Sequence, residues 1–345
     1  MTEGVTGTSL PAGQRSLLDE WIARSRLSWP RAIVAVTVVF AVLLAVCVYL
    51  DGVLADLFTT NLWRSALIGP VLTVYILVVY YVLNRFEDEA IEAFRELMLV
   101  DAATFDQLVV EATTLDRRRE WLALLIGAGF GLLIFRPWDA ETSFFWMKIY
   151  WTLAAISSFG LLVYVIYSSV AGGDLFGRLH EQPLAIDIFD PTPLEPIARY
   201  SLGLSLAFIG GITLSLVFVD NPRSLLNPVS FLLYGVLDLV AVVVFFLTMG
   251  RTHRVMSEVK DRELETVRRN LSAAYRELKT RAAEGRLEQM EALSDSITAW
   301  LAYEKRIEAA PDWPYTTETL RNLIASVLIP VATWLYQALQ DVLFR

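Results

Sequence analysis

The stretch VSFLLYGVLDLVAVVVFFLTMG, residues 229–250, decides the fold class of this chain. It contains 22 residues and a single charged side chain, Asp238. A helix of about 20 apolar residues spans the roughly 30 Å hydrocarbon core of a bilayer. The stretch therefore predicts a membrane-spanning helix that carries a carboxyl group near its middle.

Five more apolar runs accompany it in the 345 residues: 32–50, 65–84, 121–135, 149–173 and 200–219. The run at 121–135 is short, and we interpret it as a helix that crosses a thinned bilayer. The mean hydropathy is +0.48 and only 19% of residues are charged, against about 25% in soluble domains. We therefore predict an all-α, polytopic helical membrane protein with six transmembrane helices, and we exclude a disordered chain and an ordinary soluble domain.

The basic residues predict the orientation. With a cytoplasmic N-terminus, 24 of the 29 Lys and Arg residues fall in cytoplasmic segments. Because cytoplasmic loops of membrane proteins are enriched in these residues, the chain is predicted to be a multi-pass protein of the cell (inner) membrane, with the lipid bilayer as its first partner. Run 32–50 is longer than the apolar part of a typical signal peptide and predicts a retained anchor.

Composition divides the chain into four parts. Residues 1–31 form a cytoplasmic leader, in which 16–28 is either an interfacial helix with Leu17, Trp21 and Ile22 on one face or a solvated segment. Residues 32–250 form the six-helix transmembrane domain. Residues 251–315 are predicted to form a cytoplasmic helical hairpin, and 316–345 a C-terminal apolar helix.

Two cytoplasmic insertions interrupt the transmembrane domain. Residues 85–120 lack Pro and Gly and predict a helical insertion with a break near 100–103. Residues 172–199 contain four prolines and predict a Pro-rich loop that cannot be one continuous helix.

The predicted hairpin has apolar residues at coiled-coil spacing in its first arm. This seam comprises Leu264, Val267, Leu271, Ala274 and Leu278. It is short, so it suits packing within one chain as well as association of two chains. The second arm is predicted to be an amphipathic helix that starts with Leu287, Met290, Leu293, Ile297, Trp300 and Leu301.

Asp238 is the first candidate site. A carboxylate at the centre of a bilayer costs about 2.5–3.5 kcal/mol on insertion scales, so it needs a role or a partner. The functional interpretation is an ion or proton site. The alternative is a protonated carboxyl group bonded to a neighbouring hydroxyl.

The last apolar run carries a polar stripe, Asn322, Ser326, Thr333 and Gln337, which Gln340 continues. In a spanning helix such a stripe suits a pore lining within a ring of subunits. In a helix that lies on the membrane or re-enters it, the stripe faces water. Whether 322–340 spans the bilayer stays open.

Two weaker patterns remain. Asp187, Asp190 and Glu195 form an acidic cluster in the Pro-rich loop, interpreted either as a cation site or as turns with a helix cap. Small residues at four-residue spacing predict close helix contacts. One set is Ala123, Gly127 and Gly131, and the other is Gly203, Ala207, Gly211 and Ser215.

Several functions are excluded. A net charge of −9 disfavours nucleic acid as a partner. One Cys and two His residues predict no disulfide, metal site or cofactor, and the motifs of hydrolases, metalloproteases and P-loop proteins are absent, so the chain is predicted not to be an enzyme. Two functions remain: a channel or transport-type protein, assembled as a homo-oligomer, that uses Asp238, or a membrane-anchored scaffold or signalling protein whose cytoplasmic helices bind a protein partner.

Overall fold

The computed structural model describes residues 16–60, 62–113, 116–138, 144–180, 182, 184–218, 227–284, 290–313, 321, 324–333 and 335–336. Within these residues the chain is all-helical, as predicted, and the nearest feature to a strand is an isolated bridge between Met98 and Leu184.

Ten α-helices follow one another in the described segments up to residue 313. Their bounds are α1 Leu17–Ser25, α2 Trp29–Asp51, α3 Leu54–Thr59, α4 Leu62–Leu97, α5 Ala102–Thr113, α6 Arg117–Phe135, α7 Phe145–His180, α8 Glu195–Val217, α9 Pro228–Ala283 and α10 Met290–Ala309. A single 3-10 turn, Thr192–Leu194, precedes α8.

Five of these helices are long and apolar enough to cross a bilayer: α2, α4, α7, α8 and α9. The helix α6 contains the predicted span 121–135, but its apolar part is only about 22 Å long at 1.5 Å per residue. The five helices are compatible with a membrane protein, whereas the predicted number of six spans is not confirmed.

Glycines set the closest helix contact, between α6 and α7. A Cβ on Gly127 would lie 2.8 Å from the Cα of Gly160, and one on Gly131 would lie 2.8 Å from the carbonyl oxygen of Ala155. Because the neighbouring atoms belong to the backbone, only a residue without a side chain fits. The predicted small-residue face of α6 therefore packs within the chain.

The small face of α8 packs against α4. A Cβ on Gly203 would lie 3.0 Å from the ring of Phe86, and one on Gly211 would lie 3.3 Å from the ring of Tyr75. The hydroxyl of Tyr75 donates to the carbonyl of Ala207 at 2.8 Å, which fixes the two helices in register.

The bundle has two different ends. At one, which we call the short-loop end, the Asp51 carboxylate accepts the free backbone N–H groups of Trp146 and Met147 and so caps the start of α7. We call the opposite end the charged end. It carries the helices α1 and α5, the loop before α8, and the parts of α4 and α9 that continue beyond their apolar stretches.

The helices at the charged end differ from the predicted segments in length. The helix α7 continues to His180 and α8 begins at Glu195, so both ends of the predicted loop 172–199 are α-helical. The backbone hydrogen bonds of α7 continue past the end of the apolar run, although Gly172 and Gly177 are poor helix formers. The predicted break near 100–103 lies between the end of α4 and the start of α5.

Candidate functional site

The helical hairpin at the charged end, residues 251–313, is the largest feature outside the apolar bundle. The helix α9 runs through 56 residues without interruption, from the bundle to the tip of the hairpin. The helix α10 returns antiparallel to it. Between them Val267 and Ile307 are 1% and 0% exposed, and Ile188 from the loop before α8 joins the same cluster.

Charged side chains fix the register of the two arms. The Lys260 ammonium group donates to the carbonyls of Glu308 and Ala310 at 3.1 and 2.8 Å and pairs with Asp312 at 2.9 Å. Arg268 binds Glu304 at 2.7 Å and Glu308 at 3.0 Å. Lys260 satisfies carbonyls that the end of α10 leaves free, so the return segment is held against α9.

A ring stack fixes the end of the hairpin to the bundle. His253 and Trp313 lie parallel, with ring centroids 4.0 Å apart, and Nδ1 of His253 donates to the Asp312 carbonyl at 2.7 Å. Trp313 also packs against the main apolar core. The hairpin is therefore attached at its base as well as through α9.

The predicted seam on α9 faces α10 and the loop of the same chain, where Leu264 and Val267 contact the cluster of Trp300 and Ile307. On α10, Leu301 is 43% exposed and does not belong to the buried face. The face that meets α9 is set by Ile297, Trp300 and Ile307, and Leu301 lies one position beyond it. Residues 285–289, including Leu287, lie outside the described part of the chain.

Asp238 lies in the apolar part of α9 and is partly buried. Its Oδ1 is shielded from solvent and has no hydrogen-bond partner among the described residues. Leaving a buried acceptor unpaired costs about 1–3 kcal/mol. The oxygen is therefore available to a proton or a cation, and the ion or proton site stays a prediction.

Only part of the C-terminal polar stripe is described. Ser326 and Thr333 lie on the helix Ile324–Thr333, where the hydroxyl of Thr333 donates to the carbonyl of Ile329 at 2.8 Å. Asn322 and Gln337 lie outside the described residues, as does Gln340. The pore-lining interpretation stays a prediction.

The acidic cluster of the loop before α8 is engaged locally. Asp187 accepts the N–H of Phe189 at 2.8 Å, and Glu195 pairs with Arg199 at 3.1 Å. Hydrogen bonds from the side chain and the backbone N–H of Thr192 lower the pKa of Asp190. These contacts favour the turn interpretation, and in the described ranges no three His, Cys, Asp or Glu residues are placed to share a metal ion.

A buried acid that the sequence did not single out joins α1 to the bundle. Glu120, at the start of α6, is 2% exposed; its Oε1 accepts the N–H of Leu17 at 3.0 Å and the hydroxyl of Tyr164 at 3.1 Å. Arg117 lies 3.8 Å from its other oxygen and also pairs with Glu20 on α1. A buried carboxylate thus holds the start of α1 in place.

The helix α1 therefore packs on the charged end. Ser16 caps it and accepts a hydrogen bond from Tyr80 at 2.6 Å. Leu17 and Leu18 are buried and Trp21 is 55% exposed, and the interfacial interpretation of the face with Leu17, Trp21 and Ile22 stays a prediction. The sequence signal for this helix start is the capping pattern Ser16-x-x-Asp19.

Comparisons with protein-family models, curated proteins and solved structures gave no match for this chain.

Proposed function

We propose that the protein is a multi-pass membrane protein, N-terminus in the cytoplasm, whose hairpin 251–313 is a docking arm for a cytoplasmic protein partner. In this function it acts as a membrane-anchored scaffold or signalling protein. The observation that carries the proposal is the unbroken helix α9, because it joins the apolar bundle to the hairpin without a hinge.

The clustering of the charged segments at one end of the bundle supports this orientation. The segments that would be cytoplasmic hold 24 of 29 basic residues. Six crossings place both the N-terminus and the hairpin on that side. The packing of α6 supports a sixth crossing. Its glycines contact α7 along its length, and α7 is itself long enough to span the bilayer.

The docking surface is the face of α10 turned away from α9. It carries Leu301 among small and charged side chains, and Lys305 lies one turn further on. The face turned towards α9 is occupied by the chain itself, with Ile307 fully buried.

Photo-crosslinking in living cells tests this function. A photoreactive residue at position 301 or 305 should yield a discrete adduct with one cytoplasmic protein, and Leu301→Asp should reduce the adduct formed from position 305 at least fivefold. A photoreactive residue at position 307 is the matched control and should give no adduct to another chain. If positions 301 and 305 give no more adduct than position 307, the outer face of α10 binds no partner.

A second function, ion or proton conduction, is favoured by the unpartnered Oδ1 of Asp238. In this function the chain forms a homo-oligomer, and the stripe with Ser326 and Thr333 contributes to the path. We expect Asp238→Asn to lower proton or cation flux into reconstituted vesicles at least tenfold without changing the unfolding temperature. Asp56→Asn, at an exposed acid of α3, is the control. Equal flux in wild type and Asp238→Asn would exclude a path through this carboxyl group.

A further inference from the structure

A long apolar cavity of about 460 Å³, partly open to the outside of the bundle, lies between α4, α7, α8, α9 and the end of α6. Its lining runs along α4 from Ser65 to Leu83 and along α7 from Trp151 to Val165. At 1.5 Å per residue these distances are about 27 and 21 Å. A sphere of the same volume would be only about 10 Å across, so the cavity has the shape of a chain.

The middle of the cavity offers a ligand almost no polar contact. The hydroxyl of Tyr75 already donates to the carbonyl of Ala207 at 2.8 Å. The hydroxyl of Ser158 lies 2.8 Å from the carbonyls of Gly69 and Ala154 and 3.0 Å from the hydroxyl of Thr73. Because an apolar cavity excludes water and takes up apolar molecules, this part of the site suits a hydrocarbon chain.

The short-loop end of the cavity is different. Trp151 lines it, and its indole N–H is buried with no acceptor among the described residues. An indole nitrogen can only donate, and buried Trp residues usually find a partner. Ser65 lies at the same end, together with Tyr234, whose hydroxyl is 3.4 Å from that of Ser215.

A basic residue, Arg64, lies next to this end of the cavity in the sequence of α4 but is not one of the lining residues. Arg64 precedes Ser65 in α4, and its guanidinium lies 5.4 Å from the centre of the Trp63 ring. Its Nε is also buried without a partner in the described part of the chain. Two buried donors, one of them cationic, favour an anionic acceptor at this end.

We propose that the cavity binds one long-chain fatty acid, with its hydrocarbon chain along α4 and its carboxylate at the end that Trp151 and Ser65 line, next to Arg64. The length fits because the cavity extends over most of a span, and the surrounding bilayer gives such a molecule direct access. The site is independent of the docking function, since it can be measured on purified protein without a partner.

Binding of labelled hexadecanoate, tetradecanoate and dodecanoate to the delipidated protein in detergent tests the proposal. We expect one molecule per chain, with affinity rising about fourfold per added methylene, as burial of apolar groups predicts. Hexadecanol should bind at least tenfold more weakly than hexadecanoate, because it lacks the charge.

Two matched pairs of variants locate the site. Leu72→Trp fills the middle of the cavity and should abolish binding, whereas Val78→Trp, on an exposed face of the same helix, should not. Trp151→Phe keeps an aromatic ring but removes the N–H, and it should weaken the binding of hexadecanoate about tenfold. Trp146→Phe, at an exposed position of α7, should leave the affinity unchanged.

Two outcomes would overturn the proposal. Equal binding by Leu72→Trp and Val78→Trp would place the fatty acid on the outer surface of the bundle. The second outcome combines two results. None of the three acids binds, and native mass spectrometry shows a two-chain phospholipid that the wild type retains and Leu72→Trp loses. This outcome would assign the cavity to bilayer lipid instead. Trp151→Phe adds no atoms to the bundle and keeps an aromatic ring, so it gives a result even if Leu72→Trp fails to fold.

Discussion

Replacing Glu120 with alanine should release α1 from the charged end and lower the free energy of unfolding by about 3 kcal/mol. The substitution removes the acceptor of two buried donors, the N–H of Leu17 and the hydroxyl of Tyr164. A hydrogen bond to a charged group contributes about 1.5–3 kcal/mol, and a buried donor left unpaired adds its own cost. Hydrogen exchange of the amides in 17–25 and unfolding in detergent measure the two effects.

Two further variants separate the buried contacts from surface charge. Glu120→Gln keeps one acceptor oxygen and should retain part of the protection of α1. Glu20→Gln changes only the exposed partner of Arg117, and exposed ion pairs contribute at most about 1 kcal/mol. If α1 is as well protected in Glu120→Ala as in Glu20→Gln, the buried carboxylate does not hold this helix.

Gly127→Ala should destabilise the bundle by about 3 kcal/mol. The new methyl group would lie 2.8 Å from the Cα of Gly160 and closer still to the carbonyl oxygen of Phe159, and backbone atoms cannot move aside as a side chain can. Overpacking of a tight interior typically costs 1–3 kcal/mol, and the α6–α7 contact has no slack to absorb it. Unfolding by a denaturing detergent, at fixed lipid composition, measures the loss.

Gly129→Ala is the matched control two residues away. Nothing lies within 4 Å of the position that its Cβ would occupy. Alanine is the better helix former by roughly 1 kcal/mol, so this variant should be unchanged or slightly more stable. Equal losses in Gly127→Ala and Gly129→Ala would mean that the two helices do not meet at Gly127.

The apolar runs predicted the five long helices well because hydrocarbon leaves the backbone no partner except itself. They predicted helix ends poorly. A change from apolar to charged residues marks the membrane boundary, but hydrogen bonding within a helix continues across it. For that reason α7 runs on to His180.

Contacts between residues that are far apart in the chain could not be predicted from the sequence. Glu120 meets Leu17, 103 residues earlier, and no local pattern links the two. The position of Asp238 near the middle of a span follows from the apolar run that contains it. Whether its Oδ1 has a hydrogen-bond partner depends on the residues that packing brings next to it. The exposure of Leu301 depends on which side of α10 meets α9. A rotation of α10 about its own axis by less than one turn decides whether this side chain is buried.

The unbroken helix α9 also has a mechanical consequence. It is held against α8 near Phe245, which is fully buried and whose carbonyl lies 3.4 Å from the hydroxyl of Ser201. From there Tyr234, in the cavity wall, is about 16 Å away and Ala283, at the tip of the hairpin, about 57 Å. Met256 and Val267 of the same helix are also buried, against the main core and the loop before α8, so α9 is held at several points along its length and joins the cavity wall to the base of the hairpin as one stiff element.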